Sequence, residues 1–143
     1  MNSKQKILSV LDSLVGEDYE QYPIMPASEK QISIFRKRAE SHGLEKKVTD
    51  ELVSFYEIAD GFNYEIVLGF HPCDDELIFE WWDEKTLWLG SRDFYVVRWV
   101  DGKYCLGDSS HPSFSKEFEF SSFVEFLDAC VWEIRVNMEK NKL

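Results

Sequence analysis

The sequence lacks an apolar run approaching the roughly 18 residues that a membrane-spanning helix needs. Its first residues also lack the continuous apolar stretch and small-residue cleavage site of a secretory signal peptide. The three cysteines, Cys73, Cys105 and Cys130, are odd in number, far apart and outside any CxxC pair, which argues against a disulfide framework. We therefore expect a cytoplasmic protein whose cysteines are reduced.

Basic residues are scarce, because 16 lysines and arginines stand against 27 aspartates and glutamates in a chain of 143 residues. Nucleic acids and anionic lipid surfaces are bound by clustered lysine and arginine, so the net charge of −11 argues against both as partners. The acids are concentrated in residues 49–133, which carry five bases and nineteen acids. The chain therefore has one strongly acidic body with near-neutral ends.

Motifs for phosphate binding and nucleophilic catalysis are also absent. There is no G-x-x-x-x-G-K-S/T or G-x-G-x-x-G loop and no G-x-S-x-G elbow. Residues 108–111, Asp-Ser-Ser-His, are adjacent in sequence, whereas a catalytic triad is assembled from residues that converge in space. Cys105 lies in a strand-like run, where a structural role is the simpler interpretation. We expect no catalytic residue and no cofactor.

The best candidate for a metal site is the run His-Pro-Cys-Asp-Asp-Glu at residues 71–76, which holds five potential ligands. Structural zinc usually takes about four ligands from two separated pairs, and the sequence has no second pair. The run also lacks the alternating acids, central glycine and terminal glutamate of a calcium loop. We interpret it as a polar turn without metal; a small metal-dependent hydrolase that uses this run is the enzymatic alternative.

Helical periodicity and capping residues indicate two helices in the first third of the chain. Apolar residues recur at helical spacing over residues 3–15, where Ser3 is the predicted cap. Ser28 and Gln31 have capping-box spacing, in which each side chain satisfies the other residue's free backbone N–H. Gly43 suits the left-handed position that closes this second helix.

The same kinds of signal predict a third helix and a last one. Thr49 is the predicted start of the third helix, with Asp50 and Glu51 in a first turn where the helix dipole favours acids. Ser122 has capping-box spacing to Glu125 and precedes a long apolar stripe, which predicts a C-terminal helix.

Between these helices the hydrophobic period changes to that of strands. Asp101-Gly102 separates two β-rich runs and predicts a hairpin, because both turn positions favour positive φ. The predicted strands are residues 64–70, 76–82, 86–90, 93–100, 103–106 and 117–120. This order predicts an α+β fold, in which N-terminal helices and one C-terminal helix pack on a mostly antiparallel, meandering β-sheet. We expect a single domain over residues 1–143, since no repeat or linker interrupts them.

The middle of the chain combines acidic and aromatic residues. On a strand period of two, Phe79 and Trp81 share one face, while Trp82 lies on the other face with the acids. The candidate partner-binding residues are Asp74, Asp75, Glu76, Glu80, Trp82, Asp83, Glu84, Asp93 and Asp108. Two interpretations stay open: a solvated acidic face over buried aromatics, or a protein-binding surface on which aromatics anchor a partner that the charge steers.

Four stretches of sequence share their order and spacing with a known family. They are a proline-containing lead into a capped helix, a helix that ends Phe-Tyr-Glu-Ile-Ala-Asp-Gly, a Leu-Trp-Leu-Gly strand with a later Tyr-Cys-Leu-Gly-Asp strand, and a closing helix with Ser-Phe and Phe-Leu. These stretches occupy residues 23–32, 48–61, 87–93 with 104–110, and 120–127. Over residues 22–131 the chain resembles the SUKH superfamily of Smi/Knr-like domains. It departs from the family at Lys47-Val48, where Leu-Pro is usual.

The resemblance implies an α+β domain with helices against a mostly antiparallel sheet, and it brings no agreed catalytic residues. Bacterial members are regarded as immunity proteins that bind and neutralise a cognate polymorphic toxin, often a nuclease or deaminase. Eukaryotic members are regulatory proteins linked to cell-wall synthesis. We expect a non-catalytic, immunity-type protein whose acidic surface binds a basic toxin domain; a regulatory scaffold of the Smi/Knr type is the alternative.

Overall fold

The computed structural model describes residues 2–108 and 114–141, in which helices precede and follow a run of strands. The helices are α1 (Ser3–Val15), α2 (Glu29–His42), α3 (Lys46–Tyr56) and α4 (Phe123–Asn141). The strands are β1 (Asn63–Tyr64), β2 (Leu68–Phe70), β3 (Leu87–Arg92), β4 (Tyr95–Val100), β5 (Lys103–Asp108) and β6 (Phe114–Phe120). The predicted α+β class is confirmed.

The six strands form one meandering sheet, because each pairs antiparallel with the next strand along the chain. One face of the sheet shares a hydrophobic core with apolar residues of all four α-helices. Aromatic rings fill the centre of this core: the Phe55 ring lies 4.7 Å from that of Phe123 and 4.9 Å from that of Phe70. Among the described residues, no helix has both the length and the apolar character needed to cross a membrane.

Helices α1 and α2 each begin at a polar cap, in which two residues three positions apart bond to each other. In α1 the cap is Asn2 and not the predicted Ser3; the side chains of Asn2 and Gln5 each accept a bond from the other residue's backbone N–H. In α2 the predicted exchange between Ser28 and Gln31 is confirmed. Gly43 then closes α2 in the left-handed conformation, with φ 77°, as predicted.

The predicted start of α3 at Thr49 is wrong, since the helix begins one turn earlier at Lys46. Glu45 precedes α3 without a side-chain cap, so the sequence carries no polar signal at the true start. The Thr49 hydroxyl instead donates to the Glu45 carbonyl from inside the helix, at 3.1 Å. Val48 is buried, which shows that the apolar stripe of α3 already starts in its first turn.

The predicted strand at residues 76–82 is also wrong. This part of the chain forms two 3₁₀ turns, Glu76–Phe79 and Trp82–Glu84. The Asp75 carboxylate accepts a bond from the Leu77 N–H at 2.9 Å and starts the first turn. The apparent alternation of apolar and acidic residues therefore reflects turns that bury Ile78 and leave their acids in water.

The other strands lie close to their predicted positions, and the Asp101-Gly102 hairpin is confirmed, with φ 52° and 78° at its two turn residues. The predicted strand 64–70 is divided into β1 and β2 by a turn in which Glu65 has φ 53°. At the C-terminal end of the sheet, β5 and β6 extend beyond the predicted strands 103–106 and 117–120, to Asp108 and back to Phe114.

Candidate functional site

Seven of the nine predicted contact residues lie in the connection between β2 and β3, over residues 74–84, which we call the acidic segment. The chain leaves β2 at His71, whose N–H donates to the Leu89 carbonyl at 2.9 Å. Cys73 and Ile78 are fully buried and fix the segment to the core. The segment is thus a structured platform whose two ends are held by neighbouring strands.

The first two acids of the segment are bound to the protein itself. The Asp74 carboxylate accepts a bond from the Gln31 amide at 3.3 Å, and the Asp74 carbonyl accepts one from the Arg38 guanidinium. Asp75 caps the first 3₁₀ turn through Leu77. These two carboxylates are therefore occupied in shaping the platform.

The remaining acids of the segment point into solvent. Glu76, Glu80, Asp83 and Glu84 are exposed, and the Glu76 side chain is 89% accessible although Arg38 lies 3.9 Å from it. Attraction between exposed charges at that distance is weak, so these carboxylates keep most of their field for an external cation. These four acids are thus exposed within a span of nine residues.

Trp82 lies beside these acids and forms one wall of a cleft of about 410 Å³. The cleft runs between the turn that joins α2 to α3, the second 3₁₀ turn and the β4–β5 hairpin, and its lining includes Trp99, Glu45 and Asp101. The Trp82 indole N–H donates to the His42 carbonyl at 2.9 Å. Trp82 was predicted to accompany the acids, and it does so within a 3₁₀ turn and not through strand alternation.

A stack of aromatic and cationic groups clamps the acidic segment onto the face of the sheet that the helices leave open. The Trp81 ring lies parallel to that of Trp88, 4.7 Å away, and the Arg98 guanidinium carbon lies 4.5 Å from the Trp81 centroid. The His71 ring meets Trp88 edge-on at 4.8 Å. Sequence analysis missed Arg98, which is fully buried. Arginine is almost never fully buried without a partner for its charge, and here the Trp81 ring lies against the guanidinium.

The environment of His71 affects its protonation. Burial lowers the pKa of His71, and the nearby Asp75 carboxylate opposes this by favouring the charged ring. The contact of its ring with Trp88 makes His71 a packing group beside the segment.

The last two predicted contact residues lie at the other end of the sheet. Asp93 is in the β3–β4 turn with φ 53°, and six-residue β3 places it roughly 17 Å from the acidic segment. Asp108 pairs with Tyr95 at that same end, and its side chain lies outside the described part of the structure. The nine residues thus do not share one surface.

The end of the sheet that carries Asp93 exposes large apolar side chains. Ile66 and Phe94 are 90% and 91% accessible, on two turns that are joined by a bond from the Asp93 N–H to the Val67 carbonyl. Tyr95 beside them is 51% accessible. Sequence analysis missed this surface, because Ile66 and Phe94 lie within the runs predicted as strands 64–70 and 93–100.

Metal and nucleophile candidates do not converge in the described residues. Among residues 2–108 and 114–141, no three His, Cys, Asp or Glu side chains are grouped to hold a metal ion. In the run 71–76, the His71 ring packs on Trp88 and Asp74 faces Gln31. In the Asp-Ser-Ser-His run at residues 108–111, residues 109–111 lie outside the described part of the chain.

All three cysteines are free thiols in the interior of the protein. Burial raises the pKa of Cys73, Cys105 and Cys130 to about 12 in each case. Asp60 adds to this at Cys73, and Glu119 does so at Cys105. Since the thiolate is the reactive form, these positions are poorly suited to nucleophilic chemistry.

We expect the three thiols to resist a disulfide reagent in the native protein at about pH 8. In the unfolded protein they should react at once, because an unfolded cysteine has a pKa of about 8.5. The measurement is the rate at which the reagent's own thiol is released, with and without denaturant. Single Cys→Ser variants assign each signal to one cysteine. Fast labelling of one thiol under native conditions would contradict its buried position.

Comparison with protein-family models, with curated proteins and with solved structures gave no match for this chain. The resemblance to the SUKH superfamily therefore stays a prediction made from the sequence.

Proposed function

We propose that this protein is a non-catalytic, immunity-type binding protein that neutralises a cognate basic toxin domain of nuclease or deaminase type. The proposed contact surface is the acidic segment together with Trp82. The supporting observation is the set of four exposed carboxylates, from Glu76 to Glu84, presented on a platform that the Trp81–Arg98 stack fixes to the sheet.

The proposed mechanism is stoichiometric occlusion of a basic substrate groove. A field of one sign raises the rate of encounter with an oppositely charged protein, and a rigid aromatic supplies contact area after docking. Nuclease grooves attract phosphate with clustered lysine and arginine side chains, and carboxylates form ion pairs with the same side chains. Binding should therefore weaken as salt rises, mainly through a slower association rate.

The test is capture of a partner from the protein's own source at low salt, with two matched baits beside the native one. The first bait carries Glu76→Gln, Glu80→Gln, Asp83→Asn and Glu84→Gln. The second carries Asp12→Asn, Glu17→Gln, Glu20→Gln and Glu139→Gln, which are also exposed acids. Both sets raise the net charge by four from −11, so they differ only in where charge is lost.

We expect the native bait and the second bait to retain one basic enzyme near one-to-one, and the first bait to lose it by more than about tenfold. Adding the native protein should then abolish the activity of the captured enzyme. Equal loss with both baits would contradict a specific role for the acidic segment. Retention by the first bait would place the contact elsewhere.

A regulatory scaffold of the Smi/Knr type is the second candidate function. It is favoured by the exposed apolar end of the sheet, where Ile66 and Phe94 offer a second surface far from the acids. A scaffold that joins two proteins needs two such surfaces. Capture of signalling or cell-wall synthesis proteins, without inhibition of any enzyme, would support this function instead.

A further inference from the structure

The cleft beside the acidic segment combines two features that recognise organic cations. Trp82 and Trp99 supply aromatic surface, and the Glu45 and Asp101 residues bring acidic side chains to its rim. Tryptophan faces attract ammonium and guanidinium groups through the ring quadrupole, and nearby carboxylates add to that attraction. Trp99 belongs to the hydrophobic core and Trp82 packs against it, whereas Glu45 and Asp101 are exposed.

The Trp82 ring is held in place before any ligand arrives. Its indole N–H is bonded to the His42 carbonyl, and the Phe79 ring packs edge-on against it at 6.1 Å. A wall that is already ordered loses little side-chain entropy on binding. This preorganisation distinguishes Trp82 from an aromatic residue that is merely exposed.

A cation already lies on this ring. The Lys85 ammonium is 5.2 Å from the Trp82 ring centroid, and it reaches that position from a left-handed backbone conformation, with φ 56°. Non-glycine residues adopt this conformation uncommonly. The chain thus turns back at Lys85 and places its own ammonium against the aromatic wall.

We infer that this cleft is a binding site for the ammonium or guanidinium group of a partner's lysine or arginine, and that Lys85 occupies it in the free protein. The inference rests on the proposed function and adds the chemical group that the partner presents. A lysine or arginine at the edge of the toxin's basic groove displaces Lys85, whose ammonium then turns to solvent.

The test uses an oligolysine peptide as the probe, and the same peptide with acetylated side chains as the uncharged control. Binding is followed by the indole N–H resonance of Trp82, assigned as the signal missing from Trp82→Leu. We expect this resonance to shift with oligolysine and not with the acetylated peptide. Because the probe needs no toxin, failure here is separate from failure of the capture experiment.

Two lysine variants carry the decisive comparison. Lys85→Ala and Lys103→Ala each remove one positive charge near the β4–β5 hairpin, but the Lys103 ammonium bonds to the Ser121 hydroxyl at 2.7 Å and not to the Trp82 ring. We expect Lys85→Ala to bind oligolysine about threefold more tightly than Lys103→Ala does, which is the scale of an exposed cation–π contact. Trp82→Leu should bind at least about threefold more weakly than the native protein.

Equal affinities for Lys85→Ala and Lys103→Ala would overturn the inference, because general electrostatics would then explain both. Binding that leaves the Trp82 resonance unmoved would also overturn it, since the peptide would lie elsewhere on the acidic surface. The lysine comparison does not depend on whether Trp82→Leu folds.

Discussion

Replacing Gly90 with alanine is expected to destabilise the fold by at least about 3 kcal/mol. A Cβ atom at this position would lie 2.0 Å from the Gly69 carbonyl oxygen and 2.8 Å from the Phe70 Cα. Both are backbone atoms of β2, so no side-chain rotation relieves the overlap. The two strands must separate at the point where Gly90 pairs with Phe70.

The consequence extends to the candidate site, since β2 and β3 hold the two ends of the acidic segment. The bond from the His71 N–H to the Leu89 carbonyl lies directly beside the Gly90 contact. Separation of the strands therefore loosens the base of the platform before the whole domain unfolds. We expect Gly90→Ala to lose partner capture together with stability.

The matched control for this substitution is Gly69→Ala, in the facing strand. There the added Cβ meets the Asn63 side-chain oxygen at 2.8 Å, and that side chain is free to turn away. We expect a cost below about 1 kcal/mol, measured for both variants by urea unfolding followed with circular dichroism. Similar costs for the two variants would contradict the close approach of β2 and β3 at Gly90.

Local polar signals explain why most of the fold could be predicted from the sequence. Ser28 and Gln31 cap α2 through bonds that span three residues, so the sequence contains the whole motif. The same holds for the positive φ of Asp101 and Gly102. Where such a signal is missing, as before α3, the predicted boundary is wrong by a turn.

The parts of the site that the sequence could not reveal depend on contacts between distant segments. The clustering of the acids is local and was predicted, but their distance from Asp93 is set by the length of β3. The stack of Trp81 on Arg98 joins a 3₁₀ turn to β4 and has no periodic signature. Period-two reasoning failed at residues 76–82 because tertiary burial of Ile78 stabilises turns there.

Glu51 gives the clearest case of a residue whose role changes with tertiary context. It was predicted to favour the start of its own helix, whereas α3 begins five residues earlier. Its carboxylate instead accepts a bond from the Tyr104 hydroxyl at 2.6 Å and one from the Phe123 N–H at 3.0 Å. A negative charge therefore lies at the N-terminus of α4, where the helix dipole stabilises it.

Substitution of Glu51 by alanine is expected to lower the free energy of unfolding by about 2–4 kcal/mol. It leaves the buried Tyr104 hydroxyl and the first N–H of α4 without their acceptor, and Tyr104 is only 1% accessible. Asp50→Ala is the matched control, because Asp50 bonds to Arg36 at 2.8 Å with both side chains about half exposed. Its expected cost is below about 1 kcal/mol.

A double-mutant cycle with Tyr104→Phe isolates the bond between β5 and α3. We expect Glu51→Ala and Tyr104→Phe to be non-additive by about 1–3 kcal/mol in urea unfolding, since either change alone removes the same bond. Glu51→Gln should lose less than Glu51→Ala because its amide oxygen still accepts one bond. Additive effects would contradict the bond between the Tyr104 hydroxyl and the Glu51 carboxylate, since the two groups would then act separately.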